Sequence, residues 1–524
     1  MSARGETIHR PLCPDGRAIQ EAPCEAPCAE RSRPFVLAAT ILASAMAFID
    51  GSIVTIALPS IQQDLDTSFT SLQWVVNAYA LLLGGLILIG GSAGDRFGRR
   101  RVFTLGLVVF AVASLACAMA PTIEMLIIAR ALKGVGAALL VPQSLAIIAA
   151  AFPKDIRGRA IGIWAGASSI TTALGPPLGG ILIDFFDWRA VFWINIPLSV
   201  IALWLTVAHV PESRDENTSG SLDWLGGTLA IVAFGLLTIS LTLLAGEASG
   251  WLWPAVLLLA GIGGLALFLR TEAQAAQPLM PLSLFRNRVF SGANVMTLFL
   301  YGAFTAVLFL LPFDLIERRG LSATEVGLMM LPLGIIIGTL SRFAGDWADR
   351  VGPRLPLALG SAIVTVATGM LAFGIENLWV GVLVPVVLMS LGMAAVVAPL
   401  TTAVMNAAPD AQSGAASGVN NAASRLAGLF AIAIIGAIAS VVFASVLADA
   451  VPDVMADAGA AVADPRFGLL PDVADASRAL FENAFVRAYG VSMGVAAGWS
   501  LLATILALTM LPGGRPQPVT AGDR

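Results

Sequence analysis

The chain has 524 residues, of which 57% are hydrophobic and only 12% carry a formal charge. Soluble globular domains average about 25% charged residues, so this composition excludes a water-soluble protein and predicts one that resides in a lipid bilayer. The formal net charge of −4 provides no basic face for nucleic acid, and four cysteines are too few for a disulfide framework in so long a chain.

The first segment, residues 1–34, is polar and rich in Pro, Arg and Glu. It lacks the apolar core of a secretory signal, and we interpret it as a cytoplasmic tail. Cys24 and Cys28 in this segment have the spacing of half a zinc site, but no second Cys or His pair follows. The sequence therefore favours a disordered tail without a metal.

Fourteen apolar runs follow, and each is long enough to cross about 30 Å of hydrocarbon as a helix. The runs are continuously apolar, whereas the strands of a membrane barrel alternate, so we predict an all-α membrane protein with 14 transmembrane helices. The predicted spans are 35–58, 72–94, 101–120, 122–147, 159–183, 190–210, 222–245, 251–270, 288–313, 322–345, 353–374, 378–400, 414–447 and 484–511.

Lysine and arginine concentrate in alternate loops, and this bias predicts which loops face the cytoplasm. Both termini, including the short segment 512–524, are therefore predicted to be cytoplasmic, and the acidic loop 447–483 is predicted to be extracytoplasmic. The basic residues of the predicted cytoplasmic loops are Arg96, Arg99, Arg100, Arg101, Lys154, Arg157, Arg159, Arg286, Arg288, Arg342, Arg350 and Arg354.

A motif of Gly, Asp and Arg occurs twice, 254 residues apart, each time after a span that enters from outside. This spacing is close to half the chain and predicts two six-helix bundles, 35–210 and 288–511, with two extra spans in the segment 211–287. The two copies are Gly91-x-x-x-Asp95-Arg96-x-Gly98-x-Arg100 and Gly345-x-x-x-Asp349-Arg350-x-Gly352-x-Arg354.

Both copies place a carboxylate beside guanidinium groups at the predicted cytoplasmic face. Contacts of this kind break when two helix bundles rock apart, so we predict a conformational latch. The alternative is a plain topology signal, which explains Arg99 but not two spaced copies. The predicted latch residues are Gly91, Asp95, Arg96, Gly98, Arg99, Asp349, Arg350 and Gly352.

Asp50 lies inside the first predicted span, and Arg130 lies inside the fourth. Each is about eight residues, or roughly 12 Å, from the outer surface, so the two are at the same depth. They form either a fixed ion pair that holds two helices together or a proton-coupling site. We favour proton coupling, because charges within the membrane are functional by default.

The fifth predicted span contains Gly175, Pro176, Gly179 and Gly180, a pattern that lets helices touch and bends this one. Other polar or aromatic side chains within spans are candidates for a central cavity. For most of them a packed or lipid-facing position is equally expected, and the acid among them lies near enough to the interface to be solvated without function. These candidates are Asn77, Tyr79, Trp164, Asp314 and Arg425.

No ATP-binding loop is present, because the only lysines, Lys133 and Lys154, do not follow a glycine. The two histidines, His9 and His209, suggest no catalytic or metal-ligating cluster. The sequence therefore predicts no enzymatic activity, no cofactor and no metal site.

These motifs together resemble the fourteen-span drug/proton antiporters of the major facilitator superfamily, over about residues 35–511. The resemblance implies the major facilitator fold and, for Arg130, a place in the span-four motif that is tied to proton coupling. The segments that carry it are the Gly91 to Arg100 loop, Arg130 with Gly134 and Gly136, Gly175 to Gly180, Asp50 to Pro59, Gln73 to Tyr79 and Trp188 to Pro197.

The resemblance implies a secondary active exporter of small amphipathic molecules or drugs by proton antiport with alternating access. Its partners are then a small-molecule substrate, protons and the lipid bilayer of a bacterial inner membrane. The chain has residues unusual for this branch at Asp314, Ile316 and Leu426, and these differences bear on which substrate it exports. The alternatives are an exporter of one endogenous metabolite or siderophore, and a membrane sensor or efflux-assembly partner that transports nothing.

Overall fold

The computed structural model describes residues 30–214, 223–244, 250–275, 278, 280–409, 412–454, 466–469 and 475–513. The predicted tail as far as residue 29, the C-terminal segment from residue 514 and most of the loop 447–483 lie outside this part of the chain. The described residues form fifteen α-helices: α1 Arg33–Asp64, α2 Phe69–Phe97, α3 Arg99–Ala118, α4 Ile123–Ala151, α5 Lys154–Phe185, α6 Ala190–Trp193, α7 Asn195–His209, α8 Trp224–Leu243, α9 Leu252–Gln274, α10 Arg288–Phe313, α11 Ala323–Val351, α12 Arg354–Ala372, α13 Val384–Asn406, α14 Ser413–Val454 and α15 Asp475–Met510.

Thirteen helical stretches of the described chain are long and apolar enough to cross a membrane, and α6 with α7 forms one of them, Ala190–His209. The remaining predicted span, 159–183, lies within the 32-residue α5, whose Gly, Ser and Thr residues lower its hydropathy. All fourteen predicted spans thus coincide with helices. The predicted all-α membrane fold is confirmed.

The helices form two bundles, because α1 to α7 pack mainly on one another and α10 to α15 do the same. We call these the N-terminal and C-terminal bundles. They meet along two long seams, α5 against α11 and α2 against α14. The extra helices α8 and α9 pair with each other, and α8 packs on both α2 and α14. The extra pair therefore contacts both bundles at the α2–α14 seam, through α8.

Glycines allow α5 and α11 to approach closely. A Cβ on Gly180 would lie 2.2 Å from the carbonyl oxygen of Ala323, and one on Gly327 would lie 2.4 Å from the carbonyl oxygen of Pro176. Small residues permit such backbone contact between membrane helices, where a larger side chain would hold them apart. Pro176 and Gly180 of the fifth-span motif therefore lie in the seam between the bundles.

The same face of α5 has open space at its other end. A Cβ on Gly158, Gly162 or Gly166 would meet nothing within 4 Å. Their spacing of four residues keeps these glycines on the face that contacts α11 further along the helix. The seam is therefore closed at the predicted extracytoplasmic end and open at the predicted cytoplasmic end.

Polar contacts join the two bundles at the closed end. The Asp184 carboxylate, in the last turn of α5, accepts hydrogen bonds from the backbone amides of Ala323 at 3.2 Å and Thr324 at 2.8 Å. These amides begin α11, where the helix dipole also favours a negative charge. Nearby, Gln63 Nε2 donates to Glu317 Oε1 over 2.8 Å. Both contacts must break for the outer end to open.

Candidate functional site

Asp50 lies on α1 with no solvent-exposed surface. Two cations of α4 face it, because Arg130 Nη1 pairs with Oδ2 and Lys133 Nζ pairs with Oδ1 over 2.5 Å. Both cations are also buried. We call Asp50, Arg130 and Lys133 the charge triad. The structure thus brings together the two charges that the sequence places at equal depth, and it adds a third.

Each cation of the triad also makes contacts with groups other than Asp50. Arg130 Nε donates to the carbonyl oxygen of Val75 over 2.9 Å, and its guanidinium lies 4.4 Å from the centroid of the Tyr79 ring. Lys133 Nζ donates to Ser114 Oγ over 2.9 Å. Buried charges are stable only with such hydrogen bonds, since attraction within the pair does not by itself offset desolvation.

Aromatic rings enclose Lys133, whose Nζ lies 4.7 Å from the centroid of Phe110 and 4.9 Å from that of Phe192. Glycine makes this enclosure possible, because a Cβ on Gly136 would lie 2.7 Å from the backbone nitrogen of Phe110. A desolvated cation over a ring gains about 2 kcal/mol. The triad is therefore a tightly packed ionic site inside the N-terminal bundle.

Lys133 is the member of the triad that the sequence analysis did not predict, because there it served only to exclude an ATP-binding loop. The signal was its three-residue spacing from Arg130, which puts both cations on one face of α4. With all three groups ionised, the triad holds two positive charges and one negative. Asp50 therefore keeps a partner when either cation is removed.

We expect the effects of Arg130→Met and Lys133→Met on stability to be far from additive. Each single substitution leaves Asp50 one cation, whereas the double substitution leaves it none. A buried charge stripped of its partner costs about 3–5 kcal/mol. Thermal unfolding of the wild type, the single variants and the double variant measures this coupling, and the same set built on Asp50→Asn is the control. Additive losses, equal in both sets, would contradict shared pairing.

Polar side chains of α2 face both the charge triad and the seam with α14. The Tyr79 hydroxyl donates to the carbonyl oxygen of Ala47 over 3.1 Å, beside the triad. Asn77 is fully buried, and its amide finds no hydrogen-bond partner among the described residues. Gln73, one turn earlier, is also fully buried, and its amide likewise has no hydrogen-bond partner among the described residues. It lies against Gly436 of α14. A buried unpaired polar group costs about 1–3 kcal/mol, which separation of the two helices would relieve.

Trp164 and Asp314 have partners outside the triad. Trp164 Nε1 donates to Ser44 Oγ over 3.0 Å. The Asp314 carboxylate is buried at the end of α10, where Arg318 Nε lies 2.6 Å and Arg319 Nε 2.9 Å from its oxygens. These contacts make Asp314 part of an ionic crosslink within the C-terminal bundle.

The first copy of the repeated loop joins α2 to α3. Asp95 pairs with Arg99 over 2.7 Å, and both side chains are partly exposed. Gly98 between them has φ 104°, a left-handed conformation that glycine adopts without strain. Glu212, which follows α7 and was not predicted, accepts a hydrogen bond from the backbone amide of Arg100 over 3.1 Å. Glu212 thus caps the N-terminus of α3.

The second copy, between α11 and α12, shares the backbone form of the first but not its ion pair. Gly352 has φ 87°, as its counterpart does. The position that corresponds to Arg99 is occupied by Pro353, which is uncharged and cannot form an ion pair. Within the described chain Asp349 makes neither an ion pair nor a hydrogen bond. Within the described chain, the Asp95–Arg99 pair of the first copy therefore has no counterpart at Asp349 and Pro353.

We expect Asp95→Asn to lower transport about tenfold at nearly normal expression. The exposed pair with Arg99 contributes at most about 1 kcal/mol to stability, but turnover requires that both end states remain populated. Efflux from everted vesicles, normalised to protein, measures the loss. Asp349→Asn is the matched control because it removes no ion pair from the described structure, and equal losses in the two variants would rule out the Asp95–Arg99 contact as the cause.

Residues 40–432 match the Major Facilitator Superfamily. This chain belongs to that superfamily. The resemblance inferred from the loop and helix motifs is therefore confirmed, together with the fold. The family consists of transporters, which agrees with the prediction that the protein is not an enzyme. The protein is a multi-pass membrane transporter with small-molecule substrates.

Several curated relatives share about a third of the residues of this chain. The multidrug resistance protein Stp of Mycobacterium tuberculosis is 36% identical over 382 residues, which cover 72% of this chain and 71% of Stp. The tetracenomycin C resistance and export protein of Streptomyces glaucescens is 33% identical over 396 residues, covering 72% and 71%. The riboflavin transporter RibZ of Clostridioides difficile is 32% identical over 368 residues, covering 70% and 79%.

Solved structures of distant transporters have the same fold. A bacterial homolog of the human lysosomal transporter Spinster, in an inward-facing and occupied conformation, superposes with a TM-score of 0.67 at 16% identity, covering 91% of this chain and 97% of that one. A bacterial homologue of the human drug peptide transporters PepT1 and PepT2 gives a TM-score of 0.58 at 15% identity, covering 91% and 97%. At such identities the similarity concerns the fold alone.

Proposed function

We propose that this transporter exports small amphipathic molecules or drugs by proton antiport with alternating access, in a bacterial inner membrane. The observation that carries the proposal is the charge triad, in which a carboxylate is buried with two cations inside the N-terminal bundle. Relatives named for multidrug resistance and drug efflux support the substrate class.

Protonation of Asp50 gives the triad two states. The ionised carboxylate holds Arg130 and Lys133, whereas the neutral acid releases both from electrostatic attraction. The released cations then favour an arrangement of α1 and α4 that offers them water or another acceptor, since hydrocarbon cannot solvate them. Proton uptake on one side and release on the other thereby bias a rocking equilibrium between two end states.

α1 links the triad to the seam between the bundles. Ser52 and Ile53, one turn beyond Asp50, lie against Gly175 and Gly179 of α5. The opposite side of α5 packs on α11 of the C-terminal bundle. A shift of α1 that follows protonation therefore reaches the seam through direct contact. This connection supports coupling between the proton and the opening of the outer end.

Everted membrane vesicles with an imposed pH gradient test the proposal. A pH-sensitive dye inside the vesicles reports proton release when a transported compound is added, and a panel of dyes and drugs samples the substrate class. Vesicles that contain the protein should respond to several amphipathic compounds, and vesicles without it to none. Lack of response to every compound in the panel would refute proton-driven export.

Export of one metabolite is the second candidate, because RibZ, named as a riboflavin transporter, is 32% identical to this chain. Deletion of the gene distinguishes the two candidates. A multidrug exporter should leave the deleted strain sensitive to many unrelated dyes, whereas an exporter of one metabolite should leave it sensitive to none and make that metabolite accumulate inside the cell.

A further inference from the structure

Arg425 lies on α14 where the two bundles meet. A Cβ on Gly84, near the middle of α2, would lie 3.2 Å from the Cβ of Arg425. On the side of α10, Asn420 Nδ2 donates to Thr297 Oγ1 over 2.9 Å. Both α10 and α14 lead away from the predicted cytoplasmic end, so Arg425, five residues after Asn420, is level with Tyr301, four residues after Thr297.

No carboxylate of the described chain pairs with this guanidinium. In the part of the chain that the structure describes, Arg425 has neither an ion pair nor a hydrogen bond, and its side chain is half-buried. The two cations of the triad differ from it, because Arg130 and Lys133 share Asp50. A cation inside a membrane protein points to a partner, to a water-filled cavity or to a ligand. Arg425 has no partner within the described chain, so it faces a water-filled cavity that a ligand can enter.

Tyr301 offers a second free group at the same level. Its hydroxyl makes no hydrogen bond with any described residue, and the parallel register of α10 and α14 places it at the depth of Arg425. Tyr79, the ring beneath Arg130, donates to Ala47 of α1 and packs within the N-terminal bundle, whereas Arg425 faces α2 from α14. The triad adds no negative charge to this region, because its one carboxylate is already shared by two cations.

We propose that Arg425 binds an acidic group of the substrate, so that the exported amphipathic molecules are organic anions with a carboxylate. The inference deepens the proposed function and rests on it. A guanidinium fork matches a carboxylate with two parallel hydrogen bonds, and the hydroxyl of Tyr301, at the same depth, is a donor for a third. An amphipathic cation would need a free carboxylate, whereas Asp50 is occupied by two cations.

Three probes with one ring and one linker test this inference: pyrenebutyrate, its neutral amide pyrenebutyramide, and the cation pyrenebutylamine. Pyrene fluorescence reports their binding at neutral pH to the purified full-length protein in phosphatidylcholine nanodiscs, after subtraction of empty nanodiscs. Charge-assisted hydrogen bonds predict that the wild type binds the carboxylate at least about tenfold more tightly than the amide. The amine should bind most weakly.

Variants of the protein show whether Arg425 causes the preference for the carboxylate. Arg425→Gln should bind the carboxylate and the amide equally, with the affinity for the amide unchanged, and Arg425→Lys should keep part of the preference because a point charge replaces the fork. Tyr301→Phe should weaken carboxylate binding by about threefold and leave amide binding unchanged. Arg478→Gln removes an arginine that is half exposed on α15, and it should match the wild type.

A preference for the amine, a carboxylate preference that survives Arg425→Gln, or absence of saturable carboxylate binding would each overturn the inference. Phosphatidylglycerol in the nanodiscs repels the anionic probe from every variant alike, so it should leave the difference in carboxylate affinity between the wild type and Arg425→Gln unchanged, and loss of that difference would assign Arg425 to a lipid headgroup instead. Binding is measured without a proton gradient, so its result does not depend on whether the protein is a proton antiporter. The vesicle experiment in turn does not depend on whether the substrates are anions.

Discussion

We expect Asp50→Asn to abolish efflux driven by a pH gradient while substrate binding stays near the wild-type affinity. The amide resembles the protonated acid and cannot release a proton, so the exchange of protons for substrate loses its carrier. Arg130 and Lys133 lose the charge that holds them, and the two states of the triad become one. Efflux should fall to the level of vesicles without the protein, and equilibrium binding of the same compound measures the retained affinity.

Asp64→Asn is the matched control for that experiment. It makes the same chemical change at the end of the same helix, where the carboxylate is about half exposed and pairs with Arg189 over 2.8 Å. Exposed pairs contribute about 1 kcal/mol or less, so this variant should retain most of the gradient-driven efflux. Full efflux by Asp50→Asn at normal expression would show that Asp50 is not the proton carrier, and Asp314 would be the next carboxylate to test.

The second large effect is expected from Gly180→Ala in the α5–α11 seam. The added Cβ would lie 2.2 Å from the carbonyl oxygen of Ala323 and 2.7 Å from the Cα of Thr324, which are backbone atoms that cannot rotate away. Overpacking of this kind costs about 1–3 kcal/mol, and the cost falls only on the state in which the outer end is closed. The population should therefore shift about tenfold towards an open outer end, and transport should fall with it.

The rate of cysteine labelling measures this shift towards an open outer end. Gln73 is fully buried in the α2–α14 seam, so Gln73→Cys in a background without the four native cysteines reports opening to a membrane-impermeant maleimide. Gly180→Ala should raise the labelling rate. Gly166→Ala, on the same helix and facing open space, should change neither labelling nor transport. Equal labelling in both variants would show that the α5–α11 contact does not control the outer end.

The membrane architecture was determined by the sequence alone. A span requires about 20 consecutive apolar residues, which is a local requirement, so hydropathy located fourteen segments that all coincide with helices. The repeat at Asp95 and Asp349 and the family resemblance also depend on residues close together in the chain. Depth follows from counting residues along a helix, which placed Asp50 and Arg130 at one level.

The partners of the charged side chains were decided only by the tertiary structure. Lys133 reaches Asp50 across 83 residues of sequence because of how α4 packs on α1. Asp314 resembles a free membrane acid in the sequence, yet the turn after α10 folds Arg318 and Arg319 onto it, and Arg425 receives no such partner within the described chain. The reason is physical: the chemistry of a buried charge depends on what lies within a few ångströms of it, and helices distant in sequence determine that neighbourhood.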